Sequence, residues 1–129
     1  MPPLLPVRHA DAEALVVIYL KSRIANVRVV NRVPADRPAR FLSVRRSGGL
    51  ADHVVDRPRL DVYAWGTDDD DARDLAAAAR AEIGGIRGNR DGWQVTGVEE
   101  FAGLSPAPDQ SGQARWFFSI EITVRGVPL

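Results

Sequence analysis

The hydrophobic positions open on a helical period. Ala12, Leu15, Val16 and Tyr19 share one face of a stretch from about Asp11 to Ser22, and Asp11 stands where a cap belongs. From Val27 to Val33 the β-branched content predicts a strand that Pro34 ends. Ala39 to Arg46 predicts a second, with Leu42 and Val44 on one face and Phe41, Ser43 and Arg45 on the other. Arg59 to Trp65 alternates again, setting Leu60, Val62 and Ala64 against Asp61, Tyr63 and Trp65. Between these strands, Ser47 to Pro58 is too irregular for an element and reads as a long loop or hairpin arm.

Thr67, four aspartates and an alanine-rich run predict a second helix, with Thr67 as cap and an acidic first turn that suits the macrodipole. Its apolar stripe is Ala72, Leu75, Ala76, Ala79 and Ile83, and Gly84-Gly85 ends it. Trp93 to Phe101 is a fourth strand with a phase change near Gly97 that predicts a bulge. Leu104 to Gly112 reads as an exposed loop. The last strand is the cleanest, with Trp116, Phe118, Ile120, Ile122 and Val124 facing one way and Phe117 out of phase. This order of elements predicts an α+β fold: a mostly antiparallel sheet of about five strands covered by two main helices, in a single domain over 1–129.

Composition narrows the function classes. The chain has no cysteine, which excludes disulfides, thiol nucleophiles and Cys-based metal sites. Its longest apolar run, Ala14 to Leu20, is seven residues, against the about twenty needed to span a bilayer. Prolines at 2, 3 and 6 and a first basic residue at Arg8 give no signal-peptide pattern, so a soluble, unexported chain is expected. Seventeen basic residues balance seventeen acidic ones. The balance is uneven along the chain: residues 23–59 hold nine arginines against three aspartates, and residues 60–129 hold six arginines against twelve carboxylates. Such polarity suits solvated or internally paired charge, a charged partner, or copies that meet basic face to acidic face.

Chemistry-bearing constellations are sparse. Asp68, Asp69, Asp70 and Asp71 are consecutive, and successive helical residues diverge by about 100°, so they read as a helix start rather than a cation site. Glu99 and Glu100 point to opposite faces of a strand, one solvated and one available to an arginine. His9 and His53 lack ligand spacing, and neither glycine-rich segment has the lysine of a phosphate loop. No catalytic residue, cofactor or metal ligand is expected, and the chain reads as a non-enzyme. Arg40, Arg45 and Arg46 beside an exposed Phe41 would suit a single nucleic-acid strand, though no recognition signature accompanies them. Tyr63 and Trp65, on the face away from the core, need a helix or a partner to cover them.

Arg37-Pro38-Ala39-Arg40-Phe41, a strand ending in Arg46-Ser47-Gly48-Gly49, and Asp56-Arg57-Pro58-Arg59-Leu60 leading into Val62-Tyr63-Ala64-Trp65 carry a resemblance. So do Pro108-Asp109-Gln110-Ser111-Gly112, Arg115-Trp116-Phe117-Phe118 and Val124-Arg125-Gly126. The chain resembles the tail terminator proteins of long, non-contractile-tailed bacteriophages and prophages of high-GC hosts, over nearly its whole length in element order. Tyr63, Trp65 and the Asp68–Asp71 run depart from that family's pattern.

The resemblance implies a virion subunit, assembled in the host cytoplasm, that forms a ring, commonly a hexamer, on the head-proximal end of the tail. There it stops tube polymerisation, and its partners are its own copies, the tail tube protein and the head-side connector. On this reading Arg40, Arg45, Arg46 and Arg57 supply basic subunit contacts and Asp68, Asp69, Asp70 and Asp71 acidic ones. The 47–57 loop with Gly48 and Gly49 faces the tube or its lumen. A neck or head-completion protein and a small-molecule-binding α+β module are the alternatives.

Overall fold

A computed structural model describes residues 5–129; the proline-rich opening, Met1 to Leu4, lies outside the described residues. In chain order the elements are β1 (Val7–Arg8), α1 (Ala12–Arg23), β2 (Arg28–Val30), β3 (Phe41–Gly48), β4 (Val55–Asp56), β5 (Arg59–Gly66), α2 (Asp69–Ile83), β6 (Gly88–Arg90), β7 (Trp93–Pro106), β8 (Ala114–Arg125) and β9 (Val127–Pro128). The main sheet has the order β2-β3-β5-β8-β7-β6, with β4 also on β8, while β1 and β9 form a separate pair. All pairings are antiparallel except that of β2 with β3. The fold is α+β. The five expected strands are all present, and the four additional ones are two or three residues long, too short for alternation to reveal them.

Both helices lie on one face of the sheet. Leu42 and Val44, Leu60, Val62 and Ala64, and Phe118, Ile120, Ile122 and Val124 form a single core with Leu15, Val16, Tyr19 and Leu20 of α1 and the α2 stripe Leu75, Ala76, Ala79 and Ile83. The stripe lies as expected, with Ala72 buried beside it. Small residues bring α2 close to the sheet: a Cβ on Gly66 would run into the backbone of Ala72.

Asp11 caps α1, its carboxylate accepting the Ala14 N–H at 3.1 Å. At α2 the cap is one residue later than expected. Asp68, in an extended conformation, accepts the Asp71 N–H at 2.8 Å, while Thr67 gives its N–H and hydroxyl to the Asp71 carboxylate. The four aspartates are therefore a cap followed by an acidic first turn.

Three further expectations change. β2 keeps only three residues, since its pairing with β3 stops at Val30 opposite Ser43. β7 runs on to Pro106, opposite Trp116, because shifts of register after Val95, Glu100 and Ala102 absorb the phase changes. The first is the bulge expected at Gly97, and the others shorten the 104–112 loop to 107–113. Finally, the 47–58 stretch is ordered: β4 pairs Val55 with Arg125 and Asp56 with Val124, and Asp52 accepts the N–H groups of Val54 and Val55 at 2.7 and 2.8 Å.

Candidate functional site

Because side chains alternate across a strand, the residues between the core positions stand on the face that no helix covers. Register places Phe41, Ser43 and Arg45 of β3 opposite Trp65, Tyr63 and Asp61 of β5. Trp65, Tyr63, Asp61 and Arg59 in turn lie opposite Arg115, Phe117, Ser119 and Glu121 of β8, and Glu121 lies opposite Glu99 of β7. This face has three parts.

One part is aromatic and closed. Phe41 stacks on Trp65 with ring centroids 5.0 Å apart, and Tyr63 stacks on Phe117 at 5.4 Å. The Arg37 and Arg115 guanidiniums lie over Trp65 at 5.0 and 4.9 Å, and Arg115 also covers Tyr63. Asp109 holds both arginines, 2.6 Å from Arg37 and 3.6 Å from Arg115. The Ser111 side chain, followed by the Arg37 guanidinium, keeps the Asp109 carboxyl well below the usual carboxylate range. Arg115 donates to the Ala107 carbonyl and Gln113 to that of Ala39, so residues 107–113 are latched to residues 37–39 across the sheet. Trp65 is thus covered, neither by a helix nor by a partner but by two arginines of its own chain. Phe41, expected to be exposed beside the basic cluster, is fully buried in the same stack.

A second part is basic: Asn31, Arg32, Val33, Ser43 and Arg45 line an open hollow of about 320 Å³ at the β2–β3 end. The third is acidic, at the β7–β8 end. Glu99 and Glu121 stand directly opposite each other and form no salt bridge among the described residues, although Arg57 and Arg87 line the same hollow. Beside them the Arg59 guanidinium lies 3.8 Å from the centre of Phe101, which is 55% exposed.

Most of the residues expected to meet a neighbour are engaged within the chain. Arg40 pairs with Asp71 at 2.9 Å, and the bond from Thr67 followed by that arginine lowers the Asp71 pKa. Arg46 grips buried Asp56 with two bonds of 2.7 and 2.8 Å and donates to the carbonyls of Gly48 and Gly49. Its pKa is raised by that carboxylate. Arg57 is 3.4 Å from Asp52, whose pKa is lowered mainly by the two backbone bonds it accepts. Asp68 caps α2, Asp69 accepts the Trp116 indole N–H at 2.8 Å, and Asp70 is exposed. Gly49, at φ 97°, closes the turn where a Cβ would meet the Arg57 carbonyl. Arg45 is the least committed of the basic set, 4.0 Å from Glu13. Glu100 binds Arg80 at 2.6 Å while Glu99 is solvated, the division expected for that pair.

Sequence reasoning missed the Arg37–Asp109–Arg115 latch and the opposition of Glu99 to Glu121. Both depend on register between segments far apart in the chain. A third missed residue is Glu13 of α1, which accepts the Arg46 N–H at 2.7 Å and so blunts the open edge of β3 beyond its pairing with β2.

No protein-family model matches the chain, and no curated protein matches it. Among the described residues no group of three or more His, Asp or Glu is placed to hold a metal ion, and no helix is long and apolar enough to cross a membrane.

Proposed function

We propose that this chain is a ring-forming structural subunit of a virion, a tail-terminator-like protein that caps the head-proximal end of a non-contractile phage tail tube. It would assemble in the host cytoplasm, stop tube polymerisation and offer its outer surface to the head-side connector. The observation that carries the reading is the helix-free sheet face, which sets Arg32 and Arg45 at one end and Glu99 and Glu121 at the other; among the described residues only Arg45 of these four has a salt bridge, a 4.0 Å contact to Glu13. A heterologous ring needs two different patches that fit each other. The resemblance of the element order and of the motifs to those of tail terminators supports the same reading. The function proposed is assembly and not catalysis.

The test is direct. Purified protein added to tail tubes should bind tube ends and halt their growth, and negative-stain images should place a ring there. Binding to the isolated connector with none to tube ends would instead identify a neck protein.

A further inference from the structure

Of the basic residues that the sequence singles out, Arg40, Arg46 and Arg57 are paired once the fold has closed, and Arg45 is held least. Of the nine arginines between 23 and 59, Arg37, Arg40, Arg46 and Arg57 lie within 3.4 Å of carboxylates of the same chain, and Arg23 and Arg59 lie over Tyr19 and Phe101. Among the described residues Arg28 and Arg32 are exposed and form no salt bridge, and Arg45, opposite Asp61 across the β3–β5 pairing, has only its long contact to Glu13, a carboxylate already bonded to the Arg46 N–H. Arg32 and Arg45 share one hollow with Asn31 and Ser43, and no acid lines it.

At the other end of the face, Glu99 and Glu121 occupy directly opposed positions of an antiparallel pair, where like charges destabilise a sheet. Arg57 is drawn to Asp52, Arg59 stands opposite Glu121 but lies over Phe101, Arg87 lines the hollow, and among the described residues none of them forms a salt bridge to either glutamate. The fold therefore tolerates a local cost that a guanidinium from outside would remove.

The two patches cannot satisfy each other within one molecule. β3 and β7 are separated by β5 and β8, three strand spacings or roughly 14 Å. Each patch also has an exposed apolar neighbour: Val33 is 41% exposed at the basic end and Phe101 55% at the acidic end.

We propose that Arg32 and Arg45 of one copy receive Glu99 and Glu121 of the next, with Val33 packing against Phe101, as the head-to-tail contact between copies of this chain. The occupant is a second copy because both halves of the complement sit on one neutral chain, at opposite ends of one face. The inference rests on the ring reading for closure, while the pairwise contact is tested separately.

Three proteins decide it: wild type, Arg32→Glu/Arg45→Glu, and Glu99→Arg. All these positions are exposed, and circular dichroism with thermal melting verifies that each variant folds. Sedimentation velocity in moderate salt should find wild type assembled and each variant alone weakened by about tenfold or more in apparent affinity, since each reversal brings like charges together across the contact. An equimolar mixture of the two variants should assemble again, because the reversed basic patch of one then meets the reversed acidic patch of the other. A variant that misfolds is replaced by Arg32→Ala/Arg45→Ala or Glu99→Gln, for which weaker assembly is again required.

Rings that persist unchanged in both variants overturn the contact and leave the ring reading standing. Open, polydisperse assemblies that respond to the variants support the contact and overturn the ring. Wild-type protein that stays monomeric overturns both. Single-stranded DNA bound by wild type and lost in Arg32→Glu/Arg45→Glu, with no change in mass between them, overturns the contact in favour of nucleic acid at the basic hollow.

Discussion

Asp56 is 3% exposed and holds Arg46 through two bonds, so the pair pins the 47–57 segment to β3. The Arg46 side chain is about one-third exposed, so its truncated partner would leave a cation with partial access to water. Asp56→Ala should then cost about 2–3 kcal/mol, below the 3–5 of a fully buried pair. Urea unfolding measures it, and a change within 0.5 kcal/mol would remove the pair from the account. Arg46→Lys should lose part of the same stability because an ammonium cannot bond both oxygens in one plane. Asp109 gives a pH signature. Its pKa is lower in the folded state, so its contribution is complete above the unfolded value and is lost as pH falls through the folded one. Asp109→Asn should melt below wild type at pH 6, with the gap narrowing below about pH 4. A gap that is constant with pH would mean the latch does not depend on the carboxylate's charge. The legibility of these residues differed. The aspartates of the α2 start were readable because capping is local. The arginine partners were not, since Arg37 and Asp109 meet only after four strands have paired.

The elements were legible wherever one period ran unbroken. α2 and β8 present buried positions close to those their sequences predict, because amphipathic alternation is set by the core they bury. β7 outruns the strand its sequence predicts because the register shifts after Glu100 and Ala102 break the alternation, and their extent depends on the pairing with β8. The start of α2 combines a cap with a close approach, and two substitutions separate them. Asp68→Ala should cost about 1 kcal/mol through loss of the cap bond to the Asp71 N–H. Gly66→Ala should cost more, since its methyl would meet the Ala72 backbone and nothing there is a flexible side chain. Equal thermal shifts for the two would show that the helix start relaxes freely.

At the scale of the whole molecule, the neutral total conceals two kinds of charge. Arg37–Asp109 and Arg40–Asp71 join the basic and acidic halves inside one chain. Among the described residues Arg32 at one end of the open face and Glu99 and Glu121 at the other form no salt bridge, and Arg45 has only its 4.0 Å contact to Glu13. The first set was visible as a sum along the sequence; the second is defined only by what folding leaves over. A pair of complementary patches on one face permits head-to-tail association, which closes a ring when the rotation between copies returns to its start. The most direct measurement is the solution mass of the purified 14.1 kDa chain across a concentration series, read with negative-stain images of the same samples. A closed ring of hexamer size that dissociates as salt is raised is the expected result. A monomer or a two-fold dimer at every concentration, stabilised by a small ligand, would contradict it.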